Sequence, residues 1–203
     1  MDGRTKLGEI MKWLATGVAT LVLAGCGGTP LSPAPSPSAT TSVGSGSRVY
    51  ALWIKPGGYV QYIVVNSDAS LTHYPGGRGN VGGPVAIKEM VDASTGRVIR
   101  CGRFILTIPP GALDSTGVVT MSLTDSTEAV VDVSVSPSWL NTFSIPAMLS
   151  YDTTGIQLSD PVLLFRNQGN AWIDLNAEPD PQTGFPTARL RHFTRFAAGK
   201  PGW

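Results

Sequence analysis

From residue 48 onward, apolar and polar positions mostly alternate with a period of two. Phe104, Leu106 and Ile108 alternate with Ile105 and Thr107; Val119, Met121 and Leu123 alternate with Thr120 and Ser122. Val131, Val133 and Val135 alternate with Asp132 and Ser134, one dry and one wet face of a strand. Further strands are predicted at 49–54, 59–65, 162–166, 172–175 and 187–192. Lys55-Pro56-Gly57-Gly58 is read as the hairpin turn joining the first two. Residues 85–91 are the one stretch of this region that reads as helix. Many short strands parted by Gly and Pro turns predict an all-β domain, a β-sandwich or a related barrel, over residues 48–203.

Before residue 48 the pattern changes twice. Residues 13–24 are an uncharged, mostly apolar run behind Arg4, Lys6 and Lys12, with Asp2 and Glu9 among them. That is the order of an export signal, and it is shorter than the roughly 20 apolar residues a membrane-spanning helix needs. Residues 27–47 are then Gly, Pro, Ser, Ala and Thr, with only Leu31 and Val43 as larger apolar groups. Such a run buries too little surface to offset its ordering entropy and is expected to be disordered. Its reach is about 25 Å as a coil and roughly 65 Å extended.

Leu23-Ala24-Gly25-Cys26 joins these two stretches and resembles the lipobox of bacterial lipoproteins. The resemblance implies cleavage after Gly25, with Leu23, Ala24 and Gly25 at the cut, and acylation of Cys26. Each buried lipid CH₂ contributes about 0.8 kcal/mol and two chains anchor durably, so the mature protein is expected to be membrane-held. Residues 1–25 become a signal peptide and residues 26–47 a lipidated tether. The expected location is the bacterial cell envelope, facing periplasm or exterior. Gly27 is not the aspartate that favours inner-membrane retention in some Gram-negative bacteria, which favours an outer membrane.

Charge and cysteine counts shift once the signal is set aside. Three of the 15 Lys/Arg and two of the 14 Asp/Glu go with residues 1–25, leaving 12 of each and no net charge. No basic patch points to nucleic acid; Arg189, Arg191 and Arg195 read as one solvated strand face. With Cys26 acylated, Cys101 has no disulfide partner and is expected to be a buried, inert thiol.

Ile108-Pro109-Pro110-Gly111-Ala112-Leu113, followed by a polar turn and a strand near 118–123, carries a second resemblance. With Phe143-Ser144-Ile145-Pro146-Ala147-Met148-Leu149, Gly169-Asn170-Ala171-Trp172, Gly184 and Arg191-His192-Phe193-Thr194-Arg195-Phe196 in the same order, it is similar to the ZU-five domain. This β-module occurs in ankyrins, netrin receptors, zonula occludens scaffolds and bacterial surface proteins. The resemblance spans about residues 96–198 and implies a β-sandwich; residues 48–95 lie outside it. Within the motif, Pro109 and Pro110 remove backbone donors and end the strand. Gly111 permits the bend, and Ala112 and Leu113 dock on the core.

Chemistry is sparse. Gly77-Arg78-Gly79-Asn80-Val81-Gly82 before Val85-Ala86-Ile87-Lys88 imitates a kinase glycine loop, but the spacing is wrong and a loop is expected. His73, His192 and Cys101 give no zinc spacing, Asp152, Asp160, Asp174 and Asp180 read as turn residues, and no cofactor is implied. In some ZU-five scaffolds a His-Phe-Ser sequence cleaves itself. The resemblance would give His192 the assisting role, Phe193 the carbonyl and Thr194 the attacking hydroxyl, with threonine in place of serine. Ten residues follow Phe193, whereas a further domain follows the cut in the cleaving proteins. The simpler expectation is that His192 continues the face of Ala188 and Leu190 as a hydrogen-bonded core histidine. The leading expectation is therefore a lipid-anchored, non-catalytic structural or interaction module for an unknown protein or cell-wall partner. Self-cleavage and carbohydrate binding are the alternatives. Trp139, Trp172 and Trp203 are candidate contact aromatics, with Trp172 expected in the core and Trp203 exposed.

Overall fold

The computed structural model describes residues 48–73 and 82–202. The expectations for residues 1–47, including Leu23, Ala24, Gly25 and Cys26, lie outside the described residues, as do those for Gly77 to Val81 and Trp203. Among the described residues the chain forms fourteen strands. They are β1 (Val49–Ile54), β2 (Val60–Val65), β3 (Leu71–Thr72), β4 (Val85–Val91), β5 (Arg97–Cys101), β6 (Phe104–Ile108) and β7 (Gly117–Leu123). There follow β8 (Val130–Ser136), β9 (Ala147–Tyr151), β10 (Leu163–Gln168), β11 (Ala171–Asp174), β12 (Glu178–Pro179), β13 (Pro186–Leu190) and β14 (Arg195–Pro201). One 3₁₀ turn, Ser138–Leu140, follows β8. Among these residues no helix is long and apolar enough to cross a membrane.

The strands form two antiparallel sheets, a β-sandwich. One runs β12-β13-β9-β6-β5; the other runs β3-β2-β1-β14-β8-β7-β4, with β10 also on β14 and β11 beyond it. The main core lies between them, where Leu106, Leu149 and Tyr151 of one sheet meet Met121, Val133 and Phe196 of the other. In β8 the buried Val131, Val133 and Val135 alternate with the exposed Ser134 and Ser136, as the hydrophobic pattern requires. Lys55 to Gly58 form the hairpin turn, with positive φ at Gly57 and Gly58.

Residues 85–91 are strand β4, not a helix. All seven residues, from Val85 to Val91, pair in register with β7 from Leu123 to Gly117. A ladder of this length outweighs the slight helical preference of Lys, Glu and Met, because local propensity is worth only tenths of a kcal/mol per residue.

β14 is the junction of its sheet. Its residues 196–199 pair with β10. Its other edge is divided: Arg195 to Ala197 pair with β8, and Gly199 to Pro201 pair with β1. Where these two partners meet, β1 bridges Glu128 through Trp53 instead. A Cβ on Gly199 would collide with the backbone oxygen of Tyr50, so a side chain is excluded at the point where β1 arrives.

Because β14, β1 and β10 are covered on both faces, a second core forms behind the sheet. Trp53, Ile63, Val65, Phe165, Trp172 and Ala197 are its main members. Trp172 is fully buried and donates its Nε1 hydrogen to the Asn66 carbonyl at 2.9 Å, tying β11 to the β2–β3 turn. Residues 48–72 therefore complete this core instead of decorating the sandwich.

The Ile108–Leu113 motif closes one end of the main core. Ile108 is buried at the end of β6, Pro110 is exposed, and Gly111 takes φ +76° while donating to the Ala93 carbonyl at 2.7 Å. Ala112 and Leu113 return into the core, both buried.

Candidate functional site

The segment 191–194 links β13 of one sheet to β14 of the other. Phe193 sits in the core against Phe143, ring centroids 4.5 Å apart. Asn141 grips its peptide from both sides: Nδ2 donates to the Phe193 carbonyl at 3.0 Å, and Oδ1 accepts from the Phe193 N–H at 2.6 Å. Arg191 donates from Nη1 to the Ser144 carbonyl at 2.6 Å, and its own carbonyl accepts from Phe143 N–H at 2.9 Å. The bend is therefore held by backbone and side chain together.

That bend corrects the expectation for His192. β13 ends at Leu190, so His192 lies in the bend beyond the strand and does not continue its alternation. It is half-buried, with Nε2 3.0 Å from Nη1 of Arg166 on β10. A guanidinium only donates, so Nε2 is the acceptor and the ring is neutral with its proton on Nδ1. Burial, and then the charge of Arg166, hold its pKa below the ordinary histidine value. Thr194 donates its hydroxyl to the Asn167 carbonyl at 3.3 Å. The hydrogen bonds of His192 and Thr194 thus go to Arg166 and Asn167, not to each other.

Around His192 the meeting of β10 and β13 leaves a cleft of about 210 Å³, lined by Arg166, Leu175, Arg189, Leu190, Arg191 and His192. Arg166 shares its side of β10 with the core residue Leu164, and its Nε is buried without a hydrogen-bond partner. Arg195, grouped by alternation with Arg189 and Arg191, lies elsewhere. The bend breaks the register, and Arg195 forks onto Asp132 at 2.7 and 2.6 Å while donating to the Ala69 carbonyl at 3.0 Å. Its solvated-face reading is replaced by a bidentate ion pair. Sequence reasoning missed Arg166; its signal was a single arginine at a core-facing position of Leu163–Gln168.

A larger groove, about 630 Å³, opens beside β1, β2 and β14. It is lined by Tyr50, Tyr62, Asp160, Pro161, Leu163, Lys200 and Pro201. Lys200 stands opposite Tyr50 in the ladder, with its ammonium 4.5 Å from the Tyr62 ring centroid and 3.8 Å from the Asp160 carboxylate. Two aromatic faces with one cation and one anion suit a ligand that presents both apolar and polar groups.

A third cluster surrounds Glu128, which is buried with Oε1 2.6 Å from His73 Nε2 and Oε2 without a partner. Trp53 packs edge-on to His73, ring centroids 5.0 Å apart. Trp53 Nε1 donates to Thr127, whose hydroxyl in turn donates to the buried Asp125.

The remaining candidates are dispersed. Cys101 is buried, and burial pushes its thiol pKa up, which keeps it protonated and unreactive. Trp172 is core, whereas Trp139 is exposed on the 3₁₀ turn. Asp152, Asp174 and Asp180 accept from backbone N–H groups two or three residues on, as turn aspartates do. Asp160 faces the aromatic groove. Comparison with protein-family models, curated proteins and solved structures finds no match to this chain.

Proposed function

We propose that this chain is a lipid-anchored protein of the bacterial cell envelope whose β-sandwich is a non-catalytic interaction module. The observation that carries the binding role is the Tyr50–Tyr62 groove, a concave aromatic surface with a flanking Lys200–Asp160 pair. Tyrosine supplies broad contact area at low cost in side-chain entropy, which is why such surfaces serve as binding centres. The partner is a protein or cell-wall component, and nucleic acid is not part of the reading. The anchor rests on Leu23-Ala24-Gly25-Cys26, with the Pro-rich residues 27–47 as tether, on the exterior or periplasmic side and preferentially at an outer membrane. Its test is Cys26→Ser, which is expected to abolish acyl labelling and release the protein from the membrane fraction. Unchanged fractionation overturns the anchor.

One observation favours a second reading, self-cleavage between Phe193 and Thr194. Asn141 Nδ2 already donates to the Phe193 carbonyl oxygen, where negative charge would build if the Thr194 hydroxyl attacked. Intact mass of the mature protein separates the readings. One uncut species, unaltered by Thr194→Ala, supports the non-catalytic module; a cut before Thr194 that this variant abolishes overturns it.

A further inference from the structure

The cleft at His192 has a charge pattern that no ion pair among the described residues balances. Arg166, Arg189 and Arg191 are three of the six residues that line it, and none of the six carries a carboxylate. Among the described residues the ion pairs are His73–Glu128, Arg97–Glu89, Arg195–Asp132 and Lys200–Asp160, and none includes a cleft residue. Glu178 lines the adjoining depression with Arg189, outside the cleft itself. Arg191 is partly engaged by the Phe143 and Ser144 carbonyls, but neutral oxygens leave its charge uncompensated.

Arg166 makes the imbalance specific. Its Nη1 rests on a neutral imidazole nitrogen and its Nε is buried with no acceptor at all. Leaving one N–H of a charged group buried without an acceptor is costly, and a bound anion is one partner that would satisfy it. The volume, about 210 Å³, admits one compact group and little more. A carboxylate offsets one of three positive charges, whereas a phosphate monoester offsets up to two. Its several oxygens also match the donor forks of arginine.

We propose that this cleft binds a phosphate group, with Arg166 as its principal ligand and Arg189 and Arg191 completing the charge balance. The group is either a free phosphate or phosphomonoester, or the headgroup of an anionic lipid. The proposal stands apart from the lipid anchor and from the aromatic groove, so its failure leaves both untouched.

The test uses the full chain carrying Cys26→Ser, which removes acylation as a cause of membrane binding. Inorganic phosphate is titrated at constant ionic strength, followed by calorimetry and by the Arg166 Nε and His192 ring resonances. In parallel, the chain is sedimented with phosphatidylcholine vesicles made with and without phosphatidic acid. The expected result is saturable binding in at least one arm, with shifts at both Arg166 and His192. Arg166→Gln is expected to weaken it about tenfold or more, the loss of charge-assisted hydrogen bonds. Arg189→Gln, at an exposed site that does not threaten folding, is expected to weaken it severalfold. Arg97→Gln, on the Glu89 pair away from the cleft, is expected to leave it unchanged. Binding in the phosphate arm alone identifies a free phosphate; binding only to vesicles with phosphatidic acid identifies a headgroup. No saturable response in either arm, or equal affinity in all three variants, overturns the proposal.

Discussion

The two hydrophobic cores share β14 but are built by different rules. The main core lies between two sheets and takes alternate residues from each strand, such as Phe196 and Ala198 of β14. The second core takes the intervening residue Ala197, along with Phe165 between Leu164 and Arg166, from strands already buried on their other face. A strand with one wet face announces itself by alternation; one with two dry faces does not. The second core also relies on single polar ties, Trp172 to Asn66 and Arg195 to Ala69, to hold the β2–β3 turn over it. The main core is closed by whole strands, the second by a turn.

Changes to adjacent residues of β14 separate the cores. Phe196→Ala empties a fully buried site in the main core and is expected to cost about 3–5 kcal/mol in chemical denaturation. Ala197→Leu overfills the second core and is expected to cost about 1–3 kcal/mol. The sharper readout is hydrogen exchange. In Ala197→Leu, protection should fall in β1, β2 and β11 while β5, β6 and β9 keep theirs. Equal loss everywhere makes the two cores one cooperative unit and ends the distinction.

The smallest effect concerns pH at the link between the sheets. His192 binds a proton less readily folded than unfolded, so its contribution is fully present above its ordinary value of 6.5 and is lost as pH falls below it. His192→Asn should flatten the stability profile between neutral and mildly acidic pH. A profile as steep as wild type means His192 is not responsible.

Legibility in the sequence followed the same division. β1 and β6 coincide with the residues read from alternation, and β8 extends its pattern by one residue at each end. β14 was not read as a strand, because Arg195-Phe196-Ala197-Ala198-Gly199-Lys200-Pro201 has little β propensity. Its small residues are what close neighbours on both sides and both faces demand, a requirement created by distant segments. The cleft was half legible. His192 stood out by its motif, and Arg189 and Arg191 by spacing, but Arg166 joins them only because β10 and β13 meet across the sheets. The unpaired Nε that gives the cleft its meaning leaves no trace in a linear pattern. Tyr50 and Tyr62 come together through a diagonal of the β1–β2 ladder, which the hairpin turn implied without marking them as a groove.

The division of β14 between β1 and β8 carries a consequence for the order of assembly. Val49 pairs with Pro201, so the first strand of the domain, already paired with β2, waits for its second neighbour until about 150 residues have emerged. Contacts this distant in the chain make for slow acquisition of structure, since loop closure must be met before pairing rewards it. Until residues 195–201 arrive, β1, β8 and β10 lack their common neighbour and the sheet stays open at its centre. For a chain proposed to leave the cytoplasm behind an N-terminal signal, such lateness is an advantage. It prolongs the unfolded interval in which a narrow passage can be threaded, and defers closure to the far side.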